Sequence, residues 1–498
     1  MNATTELQTY GLYIGGREAE SAAGATFDAI DPTSGRAWAT HALADADDVD
    51  RAVRTAREAF ESESWSGLSP TKRGRLMMRF GDLIAEHAEE IAAVEVKDNG
   101  KLYKEMLAQL RVIPEWLYYF GGLADKVEGR VIPLDRTSVL NYTLREPLGV
   151  VGIIVPWNSP VLLTMYSLAP ALAAGNTVVL KPSEHASASV LETLRLAEAA
   201  GFPPGVLNAV TGAGETGVAL VDHPTVAKIS FTGSDSTGRQ IAARAGGRLA
   251  RVTMELGGKS PNIVFADAAL DAAEAGLLAG IYGAAGQSCV AGSRALLQQD
   301  VYDELLERVQ RRASSVVLGD PMSAATEMGP IANVPQLERV ERMVEAARAE
   351  GARVVSGGAR SALPDFPEGL FYDPTIVDGV DNDAMIAQDE VFGPVLTVIP
   401  FADEDEAVAI ANDTRFGLAA GVWTRDVKRA HRMARRVQAG TVWLNTYRAI
   451  TFNSPFGGYK SSGFGRVNGA EAIDAYLQTK SVWCELSEDV QDPFVLKI

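Results

Sequence analysis

The sequence predicts an α/β protein containing two doubly wound sheets of mostly parallel strands, and three observations carry that expectation. An apolar run at 149–155 and strand-length segments at 176–181, 206–211 and 226–232 alternate with helical stretches. Runs that are apolar throughout suit parallel strands covered by helices on both faces. The pattern then restarts at 261–265, just past the pair Gly257-Gly258, which marks a second α/β unit. Finally, the 498 residues are enough for several domains of ordinary size with well-buried cores.

In chain order, residues 12–44 read as short strands and turns, with turn signals at Gly15-Gly16 and at Asp31-Pro32-Thr33-Ser34-Gly35. Between Asp45 and Ser62, the residues Val49, Val53, Ala56 and Phe60 recur at helical spacing, with Asp45 as the cap. Ser69-Pro70 opens a second helical region that continues, with breaks, to about Gly122. Proline is tolerated in a first turn because its missing N–H would be unpaired there anyway. Residues 131–146 alternate like a strand. A helix ending near Gly175 separates the first two of the strand segments, and another over 186–200 is closed by Gly201. The tail from Lys480 to Ile498 reads as a strand followed by an extended segment. There is no internal repeat and no low-complexity tract.

Composition narrows the function classes. The hydrophobic share of 47% and the charged share of 22% are those of a globular protein. With 64 acidic against 46 basic residues the net charge is −18, which argues against nucleic acid or an anionic membrane as partner. The first ten residues lack a signal-peptide pattern, and the longest apolar run, 147–157, is too short to span a bilayer. Two cysteines supply no disulfide framework, and a nucleophilic thiol needs a reducing compartment, so a cytoplasmic location is expected. His41, His87, His185, His223 and His431 show no metal-ligand spacing, and no metal is expected. No Gly-x-Ser-x-Gly is present to support a serine hydrolase.

Two stretches concentrate the chemistry. Cys289 lies among small residues (Gly283, Ala284, Ala285, Gly286, Ser288, Ala291, Gly292), which let a ligand approach the sulfur. A lone cysteine is otherwise read as a small buried hydrophobe. Upstream, Met254-Glu255-Leu256-Gly257-Gly258-Lys259-Ser260 puts a carboxylate in an apolar, glycine-rich setting. A thiol nucleophile with a carboxylate base nearby is an arrangement for covalent catalysis. The usual dinucleotide fingerprint, Gly-x-Gly-x-x-Gly, follows none of the strands. In its place stands 231–238, with Gly233 and Gly238 at a strand-to-helix junction where free N–H groups and the helix dipole suit a pyrophosphate. A capped turn without a ligand fits the same segment. Arg239-Gln240 excludes a phosphate-binding P-loop. Lys181 and Glu184 follow the second strand at its carboxyl end, where open α/β sheets bind ligands.

The Glu255 block followed by Gly286-Gln287-Ser288-Cys289 resembles the signature pair of the NAD(P)-dependent aldehyde dehydrogenases of the non-acylating, hydrolytic type. Further blocks agree in order: Pro156-Trp157-Asn158, Lys181-Pro182-Ser183-Glu184, Phe231-Thr232-Gly233-Ser234, Glu390-Val391-Phe392-Gly393-Pro394, and residues 455–463. The resemblance runs from about residue 10 to the end. It implies an NAD(P)-binding domain (1–130 and 147–258), a catalytic domain (259–476), and a strand arm (131–146 and 477–498) that makes a homodimer or homotetramer.

For the site, the resemblance implies that Cys289 attacks a small-molecule aldehyde while Asn158 and the Cys289 N–H hold the oxyanion. Hydride transfer to NAD leaves a thioester, Glu255 activates the water that hydrolyses it, and Lys181 aids proton transfer. Asn158 also reads as a cap for the helix starting near Pro160. The cofactor residues would be Pro156, Trp157, Lys181, Ser183, Glu184, Gly233, Ser234, Gly238, Leu256, Glu390 and Phe392. A carboxylate at Glu184 would bind ribose hydroxyls and repel a 2′-phosphate, favouring NAD, with NADP left open. The substrate funnel would comprise Ser159, Leu162, Leu163, Tyr166, Gly283, Ser288, Val290, Arg448, Ile450 and Phe456. Small residues at Ser159 and Gly283 suggest a wide entrance. A cation at Arg448 favours an aldehyde bearing a carboxylate or another polar group, although an exposed loop arginine explains it equally, and the substrate expected is a medium-sized aromatic or polar semialdehyde. Gln287 and Lys259 read as structural, and Cys484 as inert. Two alternatives remain. A CoA-acylating semialdehyde dehydrogenase would typically lack the carboxylate at Glu255, and a non-catalytic homologue would be expected to have lost Cys289, Glu255 or Asn158.

Overall fold

The computed structural model describes residues 7–488 and 494. Two large sheets form, each parallel at its centre. In the first, Val150–Ile154 sits between Val226–Thr232 on one side and Thr177–Lys181 on the other. Arg251–Glu255 and Leu207–Ala209 extend the sheet in the two directions. The order of strands therefore reverses at Val150–Ile154, and the carboxyl end of such a switch strand is where ligands of open α/β sheets sit. Every residue of Val150–Ile154 and Thr177–Lys181 is buried, as strands covered on both faces require. The edges are antiparallel, supplied by Leu12–Ile14 and Arg17–Ala19 at one end and by Gly463–Phe464 at the other.

The third segment forms a shorter strand than 206–211, only Leu207–Ala209. Val210 still donates to the Leu180 carbonyl, but Thr211 turns its hydroxyl onto the Ala42 carbonyl and leaves the ladder. The helices follow the punctuation. Asp45 and Asp48 form a reciprocal capping box on Ala46–Glu61. Pro160–Ala174 and Ala188–Ala200 end at Gly175 and Gly201, with φ of 94° and 92°, the left-handed cap that glycine adopts without strain. The long helical region divides into Pro70–Glu86, Ala88–Asn99, Tyr103–Val112 and Pro114–Leu123. The break after Asn99 is at Gly100, which is left-handed and seated against Pro32 and Pro330.

In the second sheet Pro261–Val264 is the switch strand, flanked by Arg294–Gln298 and Ala419–Trp423. Val395–Phe401, Thr375–Asp378 and antiparallel Arg353–Ser356 continue one side, and Thr441–Leu444 the other. The arm is a separate three-stranded sheet in which Leu477–Glu485 pairs with Val139–Pro147, and Val131–Ile132 pairs with the latter. The extended segment expected at the end of the tail lies outside the described residues beyond Ser487 and Glu488. Among the described residues no helix is long and apolar enough to cross a membrane.

Arg294 opens the strand that follows the cysteine loop and is fully buried. Its guanidinium donates to the carbonyls of Lys259 (3.1 Å), Ile410 (2.9 Å) and Ala411 (2.9 Å) and to Asn382 Oδ1 (2.8 Å). Removing it strands several buried acceptors, each costing ~1–3 kcal/mol. Arg294→Met is therefore expected to lower stability by about 3 kcal/mol or more, read as a clear drop in Tm. An unchanged Tm would show that these carbonyls find other partners.

Candidate active site

Two cavities meet at Cys289. One, of about 330 Å³, opens along Tyr103–Val112 and Pro114–Leu123; the other, of about 560 Å³, runs to the start of the helix Asp235–Gly247. Asn158, Leu163, Thr232, Glu255 and Cys289 belong to the walls of both.

Close backbone packing builds the cysteine loop. The helix Leu270–Tyr282 leads into Ala284, Ala285 and Gly286, three successive left-handed residues with φ of 56°, 51° and 71°. A non-glycine residue in that region costs of order 1–3 kcal/mol and persists only where its surroundings enforce it. Here they do. A Cβ on Gly286 would lie 2.0 Å from the Gly393 carbonyl oxygen, so the loop is pressed against the 390–394 turn. Gln287 locks it from the other side, donating to Ala284 O (3.2 Å) and accepting from the Ala332 N–H (2.8 Å), the structural part expected of it.

The glycine pair after Glu255 has the same purpose. A Cβ on Gly257 would fall 2.1 Å from Glu390 Oε2, and one on Gly258 would fall 2.6 Å from the Cys289 carbonyl. Glu390 Oε1 accepts the Gly258 N–H at 3.0 Å. Three motifs far apart in sequence thus touch through positions that only glycine can fill.

The electrostatics follow from the packing. Burial pushes the Cys289 thiol up to about 12, and the Glu390 and Glu255 carboxylates push the same way; the N–H groups of Cys289 and Val290 oppose them. Glu255, 5% exposed at the end of Arg251–Glu255, has no hydrogen-bond partner on either oxygen among the described residues. Burial raises it well above the usual carboxylate range, only partly offset by the Arg466 cation. Glu390 is raised to about 7, again by burial, with the Gly258 N–H opposing. Asn158 donates its amide to the Gln287 carbonyl at 2.9 Å, which aims it at the cysteine loop. It does not cap the following helix; the cap position falls on Ser159, which makes no side-chain capping bond.

All eight residues Ser159, Leu163, Tyr166, Ser288, Val290, Arg448, Ile450 and Phe456 line the smaller cavity. The expected wide entrance is corrected by the structure. The space opposite Gly283 is filled by the Arg448 guanidinium, 2.1 Å from where a Cβ would be, and that beside Ser159 by Lys101, whose Nζ donates to Ser159 Oγ at 2.6 Å. The small residues make room for cations rather than for substrate. Arg448 is not simply an exposed loop residue either, since it lies on the cavity wall and donates to Ala279 O at 3.0 Å.

The larger cavity is walled by Pro156, Trp157, Gly233, Ser234, Leu256, Glu390 and Phe392. Phe392, left-handed at φ 58°, meets Trp157 edge-on at 5.3 Å. Ser234 caps Asp235–Gly247 by accepting the Thr237 N–H, and Gly233 donates to the Glu255 carbonyl. Gly238 packs against Leu256 and lies off the wall. Lys181, Ser183 and Glu184 also lie off both cavities. Lys181 Nζ donates to Pro182 O at 2.9 Å and is 3.9 Å from Glu184 Oε2, and Ser183 Oγ donates to Glu184. A groove from Cys289 to a helix N-terminus, with a carboxylate and two aromatic rings along it, fits a dinucleotide.

Sequence reasoning missed Lys101, Gln109 and Trp116 in the smaller cavity and Gln336, Arg339, Asp389 and Arg415 in the larger. Helical spacing gives Trp116 the same signature as any core aromatic. For Lys101, the one available clue was a lysine directly after a helix-ending glycine.

The aldehyde dehydrogenase family matches residues 19–482, and the chain belongs to it. The (Z)-2-((N-methylformamido)methylene)-5-hydroxybutyrolactone dehydrogenase of Acinetobacter baylyi is 45% identical over 99% of this chain and 100% of its own length. The hydroxyisobutyraldehyde dehydrogenase of Mycolicibacterium austroafricanum is 42% identical over 95% of this chain and 94% of its own. Among solved structures, betaine aldehyde dehydrogenase from Staphylococcus aureus in complex with NAD+ superposes with a TM-score of 0.96 at 38% identity, covering 99% of this chain and 98% of that one. The protein is an NAD-dependent aldehyde dehydrogenase, an oxidoreductase acting on small aldehydes.

The Gly286 packing makes a direct prediction. Gly286→Ala forces a Cβ into the Gly393 carbonyl from a left-handed backbone, so it is expected to destabilise by ~2 kcal/mol or more. It should also displace Cys289. Tm and the rate of Cys289 alkylation by iodoacetamide are the readouts, and wild-type values for both would contradict the packing argument.

Proposed function

We propose that the enzyme converts its aldehyde to the carboxylic acid through a covalent Cys289 intermediate that water, activated by Glu255, hydrolyses. The observation that supports this most is the unpartnered, buried Glu255 carboxylate on the wall shared by both cavities with Cys289. Cys289, once its proton is lost, attacks the aldehyde carbon and gives a thiohemiacetal. The Asn158 amide and the Cys289 N–H stabilise the oxyanion, and donors of this kind contribute about 3 kcal/mol each in a water-poor site. The larger cavity, walled by Trp157, Gly233, Ser234, Glu390 and Phe392, would hold NAD+, which when bound would supply the two-electron acceptor needed to take the thiohemiacetal to a thioester. Glu255 then takes a proton from water, the hydroxide adds to the thioester carbon, and the Cys289 thiolate leaves as the acid is released.

Glu390, Phe392, Trp157 and Pro156 belong to the nicotinamide end, and Gly233, Ser234 and the helix start to the pyrophosphate. Lys181, Ser183 and Glu184 belong to the adenosine ribose. The place of Lys181 at the carboxyl end of Thr177–Lys181, beside Glu184, supports that ribose role. For substrate, we infer a medium-sized aromatic or polar semialdehyde, which the aromatic walls and Arg448 support, together with relatives named for oxygenated substrates.

The same reading includes a cytoplasmic location, which keeps Cys289 reduced, and a cofactor unit and a catalytic unit divided near residue 258. Residues 463–476 return to the first unit: Gly463–Phe464 pairs with Arg251–Glu255, and Tyr476 O accepts from Asn176. The arm leaves Val131, Leu140, Leu144 and Trp483 exposed, apolar side chains on its three-stranded sheet that a second subunit would cover.

NADH formation across an aldehyde panel, with NAD and NADP in parallel and no CoA, tests this. Cys289→Ala is expected to abolish it; activity that survives would remove the covalent step, and a strict CoA requirement would move the chain to the acylating class. Glu255→Gln should leave a burst of about one NADH per subunit and slow turnover by ~10²-fold or more. Because the base acts ionised and burial raises its pKa, wild-type turnover should fall as pH drops through that raised value, a limb lying above the ordinary carboxylate range and absent in Glu255→Gln. Light scattering should give a multiple of 53.0 kDa, and a monomer at micromolar concentration would contradict the arm's assignment.

A further inference from the structure

The smaller cavity has an unusual charge balance. Among the described residues on its wall, the cations are Lys101 and Arg448 and the one carboxylate is Glu255. Lys101 is 5% exposed, so it is not a solvated surface lysine that happens to graze a pocket. Its ammonium carries three donors, and the single acceptor it meets is Ser159 Oγ, one residue beyond the Asn158 amide. The position is fixed by the left-handed turn at Gly100 and by Asn99, which accepts the Lys101 N–H and donates to the Trp157 carbonyl.

The carboxylates facing Lys101 from its own side are Glu95 and Glu105, neither of which lines the cavity. Burial lowers its pKa, and those two groups work against that. Arg448 approaches closely enough for its charge to be felt at Lys101, and its own guanidinium is held at the mouth by Ala279 O against Gly283. Glu95 and Glu105 offset Lys101 from outside the cavity, so the wall itself presents two cations beside Trp116 and Tyr166, a face that suits an anionic group.

We propose that Lys101 is a specificity-determining residue which, with Arg448, selects aldehydes carrying a carboxylate, such as short ω-oxo acids and carboxylated aromatic aldehydes; this rests on Cys289 being the residue that captures the aldehyde carbon. The carbonyl end lies at Cys289 and Asn158, the carbon skeleton against the aromatic wall, and the carboxylate between the two cations. Ser159 is the positioning residue that holds the ammonium on the substrate side.

Two measurements test this, and the first needs no turnover. Iodoacetate and iodoacetamide both alkylate thiolate, so the ratio of their rates at Cys289, followed on the Cys289 peptide by mass spectrometry, reports the preference for an anion over a neutral group independently of thiol pKa. In wild type that ratio should exceed the ratio for a neutral cysteine peptide by about tenfold, and Lys101→Met should lower it by a similar factor. A wild-type ratio at or below that of the free peptide overturns the proposal, whether or not the variant folds.

The second measurement compares kcat/KM for 4-oxobutanoate and butanal. The carboxylate preference should drop about tenfold in Lys101→Met and be partly restored in Lys101→Arg. If butanal is oxidised but the ratio is unmoved by Lys101→Met, the specificity assignment fails while the dehydrogenase reading stands. If no aldehyde yields NADH, the reading of the chemistry fails, and the alkylation ratio still decides whether the cavity prefers an anion.

Discussion

Contact between backbones at Gly257, Gly258, Gly286 and Gly393 is the constraint on which the site depends. A Cβ at any of the first three would fall between 2.0 and 2.6 Å from a neighbouring oxygen. Through these contacts the block after Glu255, the loop carrying Cys289 and the turn carrying Glu390 and Phe392 are held as one body. The strain of Ala284 and Ala285 in left-handed conformations is sustained by that packing.

Burial shapes the electrostatics of the site. Cys289, Glu255 and Glu390 are all shifted upward by burial first, and Cys289 additionally by the Glu390 and Glu255 carboxylates, so burial disfavours the charged form of each. A glutamate made more basic by burial suits the proposed part of taking a proton from water when a thioester is hydrolysed. The two cavities divide the labour between a groove shaped for a dinucleotide and a pocket carrying two cations. Their shared wall holds the groups that both halves of the reaction use.

Much of this was legible beforehand, for identifiable reasons. Motifs that need glycine for close approach, a lone cysteine among small residues, and a carboxylate in apolar surroundings leave marks in sequence because few substitutions satisfy such geometry. The switch strands were legible because burial on both faces writes continuous apolar runs. What escaped was the far wall of the substrate pocket. Trp116 has a helical periodicity identical to that of a core aromatic, and Gln109 and Lys101 owe their place to how Tyr103–Val112 and Pro114–Leu123 lie against the catalytic unit. Ser159 and Gly283 were misjudged for the same reason. A small side chain predicts space, but what occupies that space comes from another part of the chain.

The sequence by itself determined the class of fold, because burial sets the pattern of its strands, and the family, because the Glu255 and Cys289 blocks and the other motifs stand in order along it. Tertiary structure alone decided that Asn158 points at the cysteine loop rather than capping a helix, that Lys181 sits beside Glu184 and lines neither cavity, and that Lys101 and Arg448 line the smaller cavity together. These are relations between residues tens to hundreds of positions apart. Side-chain identity fixes what a group can do, whereas its neighbours, its burial and hence its charge exist only once the packed chain has brought them together.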